Sequence, residues 1–183
     1  MKPYDVLFFV LVTLSWVGMY FGMNALADTA SVFVDYETVI DHIFPLVPFF
    51  VAFYISGWFL MFGPFLFVKR KKSFLYGFIS LAGITASIFL LFPGTIVRPL
   101  LTGTDIWSQL LQLIYTNDPT HNLFPSSHVS IMFYNALVLD CKWIYLWFVL
   151  VTLSAIFTKQ HFFLDLVGGL VTGAIAYAVY RRA

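Results

Sequence analysis

Apolar residues along this chain gather into six runs separated by short polar stretches. A helix that crosses a bilayer needs about 20 mostly apolar residues. Residues 6–27, 44–68 and 74–97 reach that length, followed by a shorter run at 129–139 and then by 143–158 and 162–180. The fourth and fifth runs are divided only by Asp140, Cys141 and Lys142. That spacing predicts a tight helical hairpin whose far ends stop below the opposite membrane surface, with one long broken helix as the alternative. Pro64, Gly77 and Gly83 fall inside spans, where membranes tolerate them. The expectation is an all-α integral membrane protein, a six-transmembrane helix bundle forming a single domain over residues 1–183.

Composition agrees with that pattern. Of the 183 residues, 61% are hydrophobic and only 10% charged, with a mean hydropathy of +0.89. Globular proteins average about 25% charged, so the charged surface of a water-soluble fold is missing, and disorder is excluded by the same figures. A net charge of +1 gives no support for nucleic-acid binding. A single cysteine, Cys141, excludes an internal disulfide and a thiolate metal cluster.

Charge also orients the spans, because cytoplasmic loops collect Lys and Arg. The densest basic run, Lys69-Arg70-Lys71-Lys72, lies between the second and third spans and goes inside. Alternation then puts Lys2, Lys142, Arg181 and Arg182 inside as well, with both termini cytoplasmic. The two exceptions, Arg98 and Lys159, fall on the outer side, where a basic residue retained against the bias points to a role. Ala25-Leu26-Ala27 before Asp28 resembles a signal-peptidase site, but the long apolar run before it argues for an uncleaved first span. In the outer segment 98–127, Ile106, Leu110, Leu113 and Ile114 recur at helical spacing opposite Ser108, Gln109 and Gln112. That pattern suits a helix lying in the interface plane, or an ordinary loop helix covering the bundle.

Polar residues converge at the outer ends of the spans. Arg98 and Pro99 follow the third, Pro125-Ser126-Ser127-His128 opens the fourth, and Lys159, Gln160 and His161 close the turn before the sixth, with Asp165 four residues on. Ionisable groups at membrane depth are unfavourable and usually functional. His161 and Asp165, at i and i+4, are expected on one face of the sixth helix. There the carboxylate fixes the imidazole tautomer and leaves the other nitrogen as nucleophile or base. His128 brings a second imidazole that can serve as general acid. Ser126 and Ser127 at a helix start, with Arg98 and Lys159, make a set of anion-binding donors suited to a phosphate. A bland reading remains beside this one: a His–Asp pair that ties helices together and serines that only cap. Zinc on His128, His161 and Asp165 is the competing chemistry, disfavoured by the two cations and by the lack of a second carboxylate. A Ser–His–Asp acyl-transfer triad through Ser126 or Ser127 lacks the GxSxG elbow.

These residues resemble the motifs of the type 2 phosphatidic acid phosphatase superfamily. FPSSHVS, residues 124–130, is similar to its PSGH motif, and SAIFTKQHFFLD, residues 154–165, to its SR-x5-H-x3-D motif. Arg98-Pro99 resembles the end of its K-x6-RP motif. Carried over, the resemblance implies that His161 attacks phosphorus, Asp165 orients it, His128 protonates the leaving oxygen and Arg98 holds phosphoryl oxygens, with no metal and no cofactor. Three positions depart from the pattern: Leu91 stands for the lysine, Ala155 for the arginine and Ser127 for the glycine. Lys159 is a substitute for one missing cation. In its scarcity of cations the chain is similar to the sphingomyelin and inositol phosphorylceramide synthase branch, which moves a phospho-headgroup between lipids.

Three functions therefore stand at the level of sequence. The first is hydrolysis of a membrane lipid phosphate through a phosphohistidine intermediate on the non-cytoplasmic face of a plasma or bacterial inner membrane. The second is phospho-headgroup transfer by the same mechanism. The third is a non-catalytic membrane carrier or interaction protein, for which Gly168, Gly169 and Gly173 supply a surface for close helix contact.

Overall fold

The structure, a computed structural model, describes residues 3–118 and 120–183. The expected position of Lys2 lies outside the described residues. Seven α-helices form among them: α1 (Pro3–Ala27), α2 (Val51–Phe62), α3 (Lys71–Leu91), α4 (Ile106–Asn117), α5 (Ser127–Leu139), α6 (Lys142–Phe157) and α7 (Phe163–Arg182). Each apolar run of the sequence carries one helix. Two of them, α3 and α7, are long and apolar enough to cross a membrane by length and composition. The shorter α5 has 13 residues, about 20 Å at 1.5 Å per residue, less than the hydrocarbon thickness of about 30 Å. Among the described residues the only strands, β1 (Val34–Asp35) and β2 (Gly94–Thr95), pair in parallel, Val34 opposite Gly94.

The core forms around α5. Its residues 127–132 and 134–136 are all buried, and Ile131, Met132 and Tyr134 join an apolar cluster with Trp16 of α1, Met61 of α2, Phe74, Phe78 and Leu81 of α3, Val151 of α6 and Ala176 of α7. A helix buried all round must satisfy its polar side chains internally. The Tyr134 hydroxyl donates to the Phe74 carbonyl at 2.8 Å, and Asn135 Nδ2 to the Met61 carbonyl at 2.9 Å. The glycines of α7 make the tightest seam. A Cβ on Gly173 would stand 2.7 Å from the Ser130 carbonyl oxygen, and one on Gly169 would stand 3.0 Å from that of Ser126. The absent side chains let α7 lie directly on the α5 backbone.

The α5–α6 connection is the hairpin, not a single broken helix. Asp140 ends α5 in the left-handed region (φ 46°, ψ 49°) and Cys141 precedes α6. The chain then folds back until the Phe133 and Phe148 rings lie 5.2 Å apart. Helix α4 forms where the outer segment predicts one, capped by Asp105, whose carboxylate accepts from the Trp107 and Ser108 backbone N–H groups. The Ser108 hydroxyl, donating to the same carboxylate, and these backbone N–H groups hold the Asp105 carboxyl below its ordinary pKa. Ser108 and Leu111 point inward while Ile106 and Leu113 stay exposed. The Ser108 hydroxyl donates to Asp105 at 2.6 Å and can be buried because it is satisfied.

Candidate active site

The site begins with the way α7 starts. Asp165, in its first turn, accepts from the Phe162 backbone N–H at 2.9 Å and pairs with His161 Nδ1 at 3.2 Å, both through Oδ2. His161 is therefore not on the sixth span's helix, as the i, i+4 spacing predicts. It precedes α7 in a turn, and Asp165 meets it by folding back over the helix N-terminus. The same carboxylate that satisfies an orphan helix N–H thus orients the imidazole. The turn is held from the other side by α6, whose Ala155 carbonyl accepts from the backbone N–H groups of Gln160 and His161, each at 3.1 Å.

His128 arrives from α5. The backbone N–H of Ser126 donates to the Asp165 carbonyl at 3.0 Å, which pins the start of α5 to the start of α7. The two imidazole centroids then stand 6.3 Å apart, with planes 64° to each other. Tyr54 of α2 covers one face of His128, and Trp58 presses edge-on at 5.2 Å. His128 is 2% exposed and His161 6%, and a cavity of about 220 Å³ opens beside His161, lined also by Asp41, Val97, Pro99, Lys159 and Phe162.

The other predicted site residues divide by what their polar atoms already do. Arg98 Nη1 donates to the Tyr115 and Asp118 carbonyls at the end of α4, each at 2.7 Å, and Nη2 to Gln160 Oε1 at 2.7 Å. Its Nη2 also stands 3.8 Å from Asp118 Oδ2. Lys159 Nζ donates to the carbonyls of Asp41 and Phe44 at 2.9 and 2.6 Å. Both cations therefore sit near the histidines but direct donors at backbone carbonyls and, for Arg98, at the Gln160 side chain. Ser126 caps α5 through Val129 N–H at 3.5 Å. In contrast, Ser127 Oγ, His128 Nε2, Gln160 Nε2 and Arg98 Nε are buried with no hydrogen-bond partner. Arg98 and Gln160 are bonded to each other, Ser127 and His128 are neighbours at the start of α5, and their unpaired donors are groups an anion can satisfy, while Asp165 Oδ1, an acceptor, is likewise buried without a partner. Among the described residues no group of three His, Cys, Asp or Glu side chains is arranged to hold a metal ion.

Three participants have no local sequence signal pointing to this site. Asp118 accepts from the hydroxyls of Tyr20 at 3.0 Å and Tyr54 at 3.4 Å, linking residues 98 and 64 positions apart. Burial pushes its carboxyl above the ordinary carboxylate range, against the opposing pull of Arg98 and the tyrosine hydroxyls. Tyr54 and Asp41 are likewise distant in sequence from the histidines. The one readable sign was Thr38-x-x-Asp41, a capping-box spacing. No protein-family model, curated protein or solved structure matches the chain.

Proposed function

We propose that this chain is a six-span membrane enzyme with both termini cytoplasmic, hydrolysing a lipid phosphate on the non-cytoplasmic face through a phosphohistidine. One observation carries the reading. His161 is oriented by Asp165 through Nδ1, which leaves the Nε2 lone pair free beside a cavity, with the ring centroid 6.3 Å from that of a second imidazole. In the first step His161 Nε2 forms a bond to phosphorus as the bond from phosphorus to the lipid oxygen breaks, and His128 gives its proton to that oxygen. In the second step His128 takes a proton from water, the resulting hydroxide attacks phosphorus, and the phosphorus–nitrogen bond breaks to release phosphate. Asp165 stabilises the positive charge that the attacking ring acquires, while Arg98 Nε, Ser127 Oγ and Gln160 Nε2 are the donors open to phosphoryl oxygens.

Transfer of a phospho-headgroup to a second lipid is the alternative, favoured by the scarcity of free cations. Ala155 is wholly buried in an apolar cluster at the position where the resemblance implies arginine. Each missing charge-assisted hydrogen bond weakens the hold on a dianion by about 1.5–3 kcal/mol. Purified protein in mixed micelles, given a panel of labelled lipid phosphates and acceptor lipids, separates the readings. Hydrolysis expects soluble phosphate that His161→Ala and His128→Ala abolish, with label trapped on His161 in parent quenched in alkaline detergent, where a phosphorus–nitrogen bond survives. Label moving to the acceptor lipid indicates transfer. A parent that neither releases nor transfers label from any lipid sinks the enzymatic reading in favour of a carrier or interaction protein.

A further inference from the structure

Asp41 has no part in the chemistry above, yet it is among the most fully bonded side chains near the cavity. It is 4% exposed, in the short helical turn Val39–Ile43 of the outer segment between α1 and α2. Its Oδ1 accepts from the Phe163 backbone N–H at 2.6 Å, across 122 residues of sequence. Its Oδ2 accepts from the Thr38 N–H at 2.8 Å and the Thr38 hydroxyl at 2.7 Å. Its own carbonyl, with that of Phe44, takes the Lys159 ammonium. His161 lies midway between these two attachments, two residues after Lys159 and two before Phe163.

The turn carrying His161 is thus gripped on both sides by residues 38–44. Asp41 and Asp165 divide the start of α7 between them, Asp165 taking the Phe162 N–H and Asp41 the Phe163 N–H, so the cap supplied by Asp41 is also the tie between residues 38–44 and the His161 turn. Lys159 sits at φ 51°, a left-handed conformation sparsely populated by residues other than glycine, and one that persists only where its surroundings fix it. Asp41 and Lys159 also line the cavity beside His161.

We propose that Asp41 is a positioning residue for His161. Its carboxylate docks the outer segment onto the first residue of α7 and so sets the direction in which the imidazole faces the cavity. The catalytic consequence rests on the phosphohistidine reading, but the positioning itself does not, and the test keeps the two apart.

The full chain in detergent micelles is treated with diethyl pyrocarbonate, and modification of each histidine is followed by mass spectrometry, with His121 as internal reference. Loosening the turn in Asp41→Ala is expected to change the His161 rate relative to His121 by about threefold or more, because local opening governs access. Asp41→Asn keeps an oxygen for the Phe163 N–H but turns an amide NH2 toward the Thr38 N–H, and falls between the parent and Asp41→Ala. In the lipid assay the same Asp41→Ala protein is expected to lose about tenfold in kcat with KM nearly unchanged, the pattern of an interaction needed only in the transition state, and Asp41→Asn recovers part of it. Should Asp41→Ala not fold, Asp41→Glu, which keeps the charge but displaces the oxygens by one methylene, carries the same expectations. An unchanged His161 rate in the folded variant, or an Asn variant as impaired as the Ala one, overturns the proposal. A parent inactive on every lipid overturns the enzymatic reading, while the modification rates still judge Asp41.

Discussion

The Tyr54 ring lies against the His128 imidazole with centroids 4.3 Å apart and planes 30° to each other. Its hydroxyl reaches Asp118 at 3.4 Å, so one side chain both covers His128 and connects it to the network that holds Arg98. Ring stacking contributes about 0.5–1.5 kcal/mol beyond burial, which corresponds to about two- to tenfold in rate if it acts on the proton-transfer geometry. Tyr54→Leu is therefore expected to lower phosphate release by about two- to tenfold. Tyr54→Phe, which keeps the ring and gives up only a long hydrogen bond, stays close to the parent. Equal losses in the two variants would assign the effect to the hydroxyl and remove stacking from the account.

Arg98 and Asp118 form a partly compensated buried pair, with side chains 9% and 12% exposed. Burial raises the Asp118 carboxyl, and Arg98 is the largest opposing influence. A carboxyl raised in the folded state favours folding below its unfolded pKa of about 3.9, and that contribution fades as pH climbs through the folded value. Arg98→Gln removes the opposing charge and raises the carboxyl further. The loss of stability relative to the parent should thus be smallest near pH 4 and grow toward pH 8, reaching about 3–5 kcal/mol for a broken buried pair. Thermal unfolding across that range measures it, and Arg98→Gln/Asp118→Asn should flatten the dependence. A loss independent of pH would mean that the hydrogen bonds of Arg98 to carbonyls, not its charge, dominate.

Much of the helical layout was legible because apolar run length alone sets it: each of the six runs holds a helix, and even the short hairpin at residues 140–142 follows from a polar triplet between two truncated runs. The convergence of His128, His161 and Asp165 was also legible, since all three sit at the ends of apolar runs. Their manner of meeting was not. The spacing of His161 and Asp165 suits a shared helix face, yet the Phe162 N–H captures the carboxylate first and leaves His161 outside α7. Nor does sequence periodicity carry the inward turn of Ser108, because its burial depends on the local acceptor Asp105. Asp118 and Asp41 were not legible as site residues because the partners that tie them to the site, Tyr20 and Tyr54 for one and Phe163 for the other, lie about 60 to 120 positions away, and a single sequence holds no trace of such pairings.

The glycine seam of α7 separates packing from chemistry. A Cβ at Gly173 would meet the Ser130 carbonyl at 2.7 Å, and backbone cannot step aside as a flexible side chain does, whereas nothing lies within 4 Å of a Cβ at Gly83 in α3. Overpacking of this kind costs about 1–3 kcal/mol. Gly173→Ala is expected to lower the melting temperature and, by tilting α5, to lower phosphate release as His128 moves from His161. Gly83→Ala should be neutral or stabilising by about 1 kcal/mol, since alanine is the better helix former. Matching melting curves for the two variants would show that α7 can shift along α5 without strain.

The orientation of the bundle can be read from the chain's own single cysteine. Cys141 sits between α5 and α6, at the end of the bundle opposite His128, and is partly accessible. If the basic loop at residues 69–72 faces the cytoplasm, alternation puts Cys141 on the same side and the His161 cavity on the other. A membrane-impermeant maleimide applied to intact cells should then leave the protein unlabelled and react after permeabilisation. In a Cys141→Ser background, Val97→Cys beside the cavity, where Val97 is 94% exposed, should react in intact cells without permeabilisation. Labelling of Cys141 in intact cells would invert the bundle and bring the two histidines to the cytoplasmic face, where the substrate would be a lipid of the inner leaflet.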